Sequence, residues 1–438
     1  MLLRDPVHGL VAFEGRAERV IEALLATREV QRLRRVKQLG LTSLVFPGAE
    51  HTRFAHALGA AHVMQRLQLR IVAAQDDLPM DARLDEAAAD EALAAALLHD
   101  LGHGPFSHLY EEVSPHARHH EDWTRDVLLD DGTDVHRALE GLSSGMATRV
   151  AGMLRGEHRL GYLARAISGT IDVDRADYLL RDSYMTGVRY GLYDLDWVLR
   201  SLAFGQVGGE WVLAVEGRKG LPPIEGFFLA RQHMYAQVYH HKATRAAEGL
   251  IRGVFIRVGE LVREGRAPAG TPAALRAAAL GERVSLGDYL ALDDIALLGA
   301  LSGWEQAEDQ ALSLLARRLR ARDLPKTLPL PSECEPMFGE LLARTYALAA
   351  RHGLRPELHV FLDHTSDVPY AEPDDDSPGG LWLLLRHREI MRLGEASFLL
   401  KELRNKRLTS SRLIFPRALR DDVETELGPL LGSAEGHR

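Results

Sequence analysis

The 438-residue sequence carries a single cysteine, Cys334. An intramolecular disulfide and a cysteine-based metal cluster are thereby excluded, and a cytoplasmic setting is the natural expectation. No uninterrupted apolar run is long enough to span a bilayer, so no membrane association is expected. The opening Met1-Leu-Leu-Arg-Asp-Pro lacks the basic-then-apolar plan of a signal peptide. Positive charge is in deficit. A net charge of −9 argues against an extended nucleic-acid surface, while a local basic pocket could still hold a small phosphorylated substrate. Internal repeats and a Walker-type phosphate loop are also missing.

What is present is an ordinary globular composition, 46% hydrophobic and 26% charged, in a chain long enough for two or three domains. The informative stretch is Leu97-Leu-His99-Asp100-Leu-Gly-His103-Gly-Pro-Phe-Ser-His108. It follows an alanine-rich run of high helix propensity and meets Gly102, Gly104 and Pro105, which stop a helix. An imidazole and a carboxylate thus stand side by side at a helix end, a mixed N/O set that suits Mn, Fe, Ni or Zn. A polar pair capping the helix is the alternative.

Around this stretch the chain reads as mainly helical. Asp5-Pro-Val-His8-Gly9 is a turn, and 16–39 read as helices with a basic face that is solvated by default. Arg53 and His56, three apart, share a helix face and could set a phosphate fork beside a metal ligand, or form a surface pair. An acidic connector covers 75–90. His116, His119, His120 and Glu121 crowd four titratable groups into six positions, which suits acid–base chemistry or an incidental loop. Asp174, Tyr178 and Asp182 fall at i, i+4 and i+8, so one helix face presents all three. Such a face suits a metal at one end and a sugar hydroxyl at the other. Arg231, Tyr235, Tyr239 and Lys242 form an aromatic and basic stripe, either a packing seam or a face for phosphate and base. The chain stays helical to about 355, apart from a Pro-rich extended linker beginning at Asp323. His359-Val-Phe-Leu and Leu381-Trp-Leu-Leu-Leu predict short strands around the acidic loop 372–380. The expected domains are 1–245 as core, 246–325 as its helical extension and 326–438 as a small α+β region.

Six blocks in order carry a family resemblance: Asp5-Pro-Val-His-Gly, Gln31-Arg-Leu-Arg-Arg-Val-Lys-Gln-Leu-Gly, Phe46-Pro-Gly-Ala-Glu-His-Thr-Arg-Phe-Ala-His, His99-Asp-Leu-Gly-His-Gly-Pro-Phe-Ser-His, Asp172-Val-Asp-Arg-Ala-Asp-Tyr and Tyr239-His-His-Lys. Over 1–245 the chain resembles the HD-domain deoxynucleoside triphosphate triphosphohydrolases. The resemblance implies an HD-type helical core in which His56, His99, Asp100 and Asp174 ligate one divalent ion (Mn, Fe, Ni, Zn or Mg), with additional Mg on the triphosphate. It assigns His103, His120 and Glu121 to acid–base work at the α-phosphate. Arg53, His108, Arg175 and Lys242 match phosphate contacts, with Arg175 where the family has lysine. Gln38, Asp182 and Tyr239 match the deoxyribose pocket, which Tyr178 and Tyr235 would also line, and Leu39 and Arg231 are further substrate-binding candidates.

The implied reaction is hydrolysis of a dNTP to deoxynucleoside and triphosphate by a homo-oligomer, dimer or tetramer. Nucleotide-activated members carry an aspartate and a lysine where this chain has Ala26 and Met1, which speaks against the same guanine-triggered activation; Gln31 and Arg34 remain. Two other readings stand beside this one: an HD-type phosphohydrolase acting on another nucleotide or phosphate ester, and a non-catalytic nucleotide-binding regulator. Retention of all four ligand types weighs against the last.

Overall fold

The computed structural model describes residues 1–113, 118–373 and 375–435, without the side chains of 108, 112, 113, 388 and 432–435. The architecture is mainly α with a smaller α+β portion toward the C-terminus. Its centre is a pair of helices, Arg53–Ala74 (α1) and Glu86–Leu98 (α2). The run Ala-Ala-Ala-Asp-Glu-Ala-Leu-Ala-Ala-Ala-Leu-Leu buries nearly every face of α2, as expected of a helix inside a core. Asp85 caps it by accepting from the Ala88 N–H. His120–Leu129 (α3) and Val173–Thr186 (α4) pack around this pair. Asp172 caps α4 through the Arg175 N–H, and Gly187 ends it in the left-handed region at φ 77°.

The basic helical region breaks earlier than expected. It divides into Arg16–Leu25, Arg28–Arg32 and a 3₁₀ turn Leu33–Arg35, after which Val36 is extended and Lys37 pairs with Thr52. Its basic face is not all solvated. Arg32 is buried and donates to the carbonyls of His103 (2.8 Å) and Leu292 (2.6 Å), tying this region to the turn after α2.

Leu221–Met234 (α5) widens into one π-helical turn, Tyr235–Tyr239, and Lys242–Arg263 (α6) then starts anew with His241 as its cap. A continuous stripe from Arg231 to Lys242 therefore does not form, because the wider turn and the break at 240–241 rotate Lys242 off the face.

Beyond an N-terminal hairpin, Leu2–Asp5 with Gly9–Ala12, the described residues form two small sheets. One joins Leu202–Val207 and Glu210–Glu216 to Trp382–Leu384 and Ile390–Arg392, the middle pairing being parallel. The other orders Lys326–Leu330, Leu408–Phe415 and Phe361–Asp367 antiparallel. The expected Pro-rich linker is thus an edge strand, the place where Pro329 costs no ladder bond. Among the described residues no helix is long and apolar enough to cross a membrane.

Candidate active site and metal centre

His56 enters from the first turn of α1 and is fully buried. His99 and Asp100 leave the C-terminus of α2 in a tight turn held by α3. The Gly102 N–H donates to Thr124 Oγ (2.9 Å), and Thr124 Oγ donates to the His99 carbonyl (3.2 Å). A β-carbon on Gly102 would collide with the His120 carbonyl and the Thr124 backbone, so glycine is required by close approach. Asp174 arrives from the first turn of α4.

These elements bring one nitrogen or oxygen from each of His56, His99 and Asp174 together, with the Asp100 carboxylate beside them. His56 Nε2 lies 3.0 Å from Asp174 Oδ1, 3.2 Å from His99 Nε2 and 3.8 Å from Asp100 Oδ2. His99 Nε2 lies 3.3 Å from Asp174 and 3.5 Å from Asp100. Donors bonded to one ion at about 2.1 Å sit roughly 3.0–3.4 Å apart around it, so the spacing of His56, His99 and Asp174 is that of a coordination shell, with Asp100 slightly farther out. The imidazole orientations agree. His56 Nδ1 donates to Asp177 (2.8 Å) and His99 Nδ1 to the Ala96 carbonyl (2.9 Å), which turns both Nε2 lone pairs toward each other and toward two carboxylates. Lone pairs facing at 3.2 Å repel unless a cation or a proton lies between them. Burial opposes charge on His56, yet Asp174 and Asp177 raise its pKa to about 10, and the two imidazoles hold the Asp174 carboxyl well below the usual range. The residues fit a divalent ion.

A second group adjoins the first through Asp100. His103 Nε2 lies 3.3 Å from Asp100, and the His103 ring stacks on His120 with centroids 3.7 Å apart and planes 16° from parallel. His120 Nδ1 donates to Glu111 (2.9 Å). Burial and the Arg53 guanidinium push the His103 imidazole well below its ordinary pKa, leaving it neutral. Arg53 itself is buried, ion-paired with Asp100 and donating to Ser107 Oγ (3.1 Å). Phe106 and Ser107 both take positive φ, 55° and 59°, in the turn that delivers this serine.

From the two groups runs a cleft of about 570 Å³. Asp174, Tyr178 and Asp182 line it in sequence from α4, with Gln38, Leu39, Tyr235 and Tyr239 facing them. Asp182 accepts from the Tyr239 hydroxyl (2.8 Å) and from His51 Nε2 (2.7 Å). Thr365, Ser366 and Asp367 of the strand Phe361–Asp367 also line the cleft.

Several sequence candidates lie elsewhere. Glu121 is exposed on α3. It does not line the cleft that His120 enters; the carboxylate hydrogen-bonded to His120 is Glu111. Arg175 ion-pairs with Asp172, its own helix cap, and does not line the cleft. Arg231 is buried, donating to the Pro369 carbonyl (2.8 Å) beneath the Tyr235 ring. Lys242 is exposed. The side chain of His108, and His116 entirely, lie outside the described residues. Glu111 and His51 went unassigned although both sit inside or beside the recognised blocks. Their distance in sequence from His120 and Asp182 hid their pairing.

Residues 53–182 match the HD domain family. Over 424 residues the chain is 35% identical to an uncharacterised protein, YwfO of Bacillus subtilis, a match covering 95% of this chain and 92% of that one. The chain belongs to the HD-domain phosphohydrolase family. A phosphohydrolase from Bacteroides thetaiotaomicron has the same fold, with a TM-score of 0.78 and 27% identity over 95% of this chain and 100% of that one. The chain is also 29% identical over 276 residues to the deoxynucleoside triphosphate triphosphohydrolase SAMHD1 homolog of Dictyostelium discoideum, covering 60% of this chain and 50% of that protein. It thus spans about half the length of that relative.

Proposed function

We propose that this HD-domain phosphohydrolase cleaves deoxynucleoside triphosphates to deoxynucleoside and inorganic triphosphate. The observation that carries the reading is the Tyr239–Asp182–His51 chain beside Tyr178, one step along the cleft from Asp174. It supplies a carboxylate able to take a sugar 3′-hydroxyl and a tyrosine ring that would crowd a 2′-hydroxyl.

His56, His99, Asp100 and Asp174 would hold one divalent ion, which supplies a lowered water pKa and charge neutralisation at the phosphoryl oxygens. The chain's own residues do the rest. Tyr178 and Tyr239 wall the sugar, orienting the ester bond at the α-phosphorus toward Asp174. Arg53 presents its guanidinium at the same end of the cleft. A water oxygen bonds to the α-phosphorus and gives up a proton to solvent, the bond from phosphorus to the 5′-oxygen breaks, and the triphosphate keeps all three phosphoryl groups. The departing 5′-oxygen needs a proton, and His120, held by Glu111 and stacked on neutral His103, is the group to deliver it. The same reading carries a homo-oligomer, which sedimentation of the purified chain checks.

Product analysis tests the activity. With each of the four dNTPs and the matching rNTPs, the expected products are deoxynucleoside and triphosphate, with rNTPs turned over poorly. Monophosphate plus pyrophosphate would move the cut and favour another nucleotide chemistry. No turnover with Mn²⁺, Mg²⁺ or Zn²⁺ would refute the proposal.

A further inference from the structure

The best-connected buried carboxylate in the HD half belongs to neither group above. Asp177 is wholly buried and takes four hydrogen bonds. One oxygen accepts from His56 Nδ1 (2.8 Å) and Arg181 Nε (2.8 Å), the other from His8 Nε2 (2.6 Å) and Arg181 Nη2 (2.8 Å). Arg181 is equally buried, and its remaining arm donates to Asp5 (2.8 Å). The other oxygen of Asp5 accepts the N–H groups of Val7 and His8, both at 2.9 Å, folding the N-terminal turn so that it delivers His8. A carboxylate buried this completely persists only when paired and fully hydrogen-bonded, and this one is.

An independent feature points the same way. Gly59 lies one turn beyond His56 on α1, and a β-carbon there would collide with the Asp177 carboxylate and the Arg181 guanidinium. The helix therefore leaves a cradle for the pair at the level where His56 needs its outer partner.

We infer that Asp177 is the positioning residue of the metal centre, aiming His56 at the ion, and that the N-terminal turn is part of that centre because His8 and Arg181 seat Asp177. Asp177 touches neither substrate nor reacting atoms; it acts through His56. This rests on the metal reading of the four-ligand group and not on the choice of substrate.

Mn²⁺ affinity, measured by calorimetry on the full chain, tests it. The variants are Asp177→Asn, His8→Gln and, as a control, Glu91→Gln, which removes the charge of a buried carboxylate paired with half-exposed Arg149 (2.5 Å) and buried His158 (3.3 Å) in the same half of the chain. Outer-shell partners of ligating histidines typically contribute about 10–100-fold in metal affinity. Asp177→Asn should approach about 100-fold weaker binding and His8→Gln about 10-fold. Glu91→Gln should lower the melting temperature and leave Mn²⁺ binding unchanged. Wild-type affinity in folded His8→Gln overturns the inference, whether or not Asp177→Asn folds. So does a loss of affinity in Glu91→Gln equal to that in His8→Gln. A wild-type chain that binds no Mn²⁺ overturns the metal reading and this inference together, whereas Mn²⁺ binding without dNTP turnover refutes only the proposed substrate.

Discussion

Two clusters of imidazole and carboxylate lie side by side, joined through Asp100, yet their geometries differ. In the His56, His99 and Asp174 group, each ring has its outer nitrogen fixed by an acceptor, Asp177 or the Ala96 carbonyl, and the inner nitrogens converge. Converging lone pairs in a buried place call for a cation. In the Asp100, His103 and His120 group the atoms are also spaced closely enough for a metal, but the two rings lie face to face. Parallel rings direct their in-plane lone pairs side by side, not to one point. That geometry, open to the cleft and backed by Glu111, suits moving a proton. Ligand-like spacing is therefore a poor discriminator; the direction of the lone pairs is the better one.

The difference can be broken most severely at Asp174. Asp174→Ala should abolish bound metal, read by elemental analysis, and lower dNTP hydrolysis by at least about 10³-fold; turnover near wild type would show that the converging group is not the catalytic centre. Glu111→Gln should separate the clusters. Activity should fall about 10²-fold while metal content is unchanged, because the proton-moving pair alone is disturbed. Loss of metal in that variant would mean the second group holds an ion after all. A smaller effect is expected at Tyr239→Phe, where Asp182 loses a buried donor at a cost of about 1–3 kcal/mol. The preference for dNTPs over rNTPs should narrow by roughly 10-fold, and an unchanged ratio would take the sugar out of this pocket. Smallest is Glu121→Gln. An exposed side chain apart from the cleft should change kcat/KM by no more than about twofold, and a loss comparable to Glu111→Gln would return Glu121 to the proton-moving group.

Much of the site was legible because it is written in local spacing. The i, i+4, i+8 series Asp174, Tyr178 and Asp182 needs only helical geometry to line one wall of the cleft. The His99-Asp100 pair needs only a helix followed by Gly102. Illegible residues were those whose role depends on a partner far along the chain. Nothing near Glu111 marks it for His120 over Glu121, which stands next to it in sequence. Arg32 looks like a surface cation within a basic run, and only the carbonyls of His103 and Leu292 explain its burial. The stripe through Lys242 failed for a local reason that propensity does not encode, a single wide turn at Tyr235–Tyr239.

By itself the sequence determined the mainly helical class and the ordered motifs of the HD domain. Side-chain chemistry and helical periodicity are properties of short segments. Tertiary structure alone decided that His56 and His99, 43 residues apart, meet at their Nε2 atoms, and that a C-terminal strand lines the cleft. It also decided that Asp177, His8 and Arg181 form one buried hub behind His56. These are consequences of how helices pack, and packing depends on the whole buried surface at once, which no short segment contains.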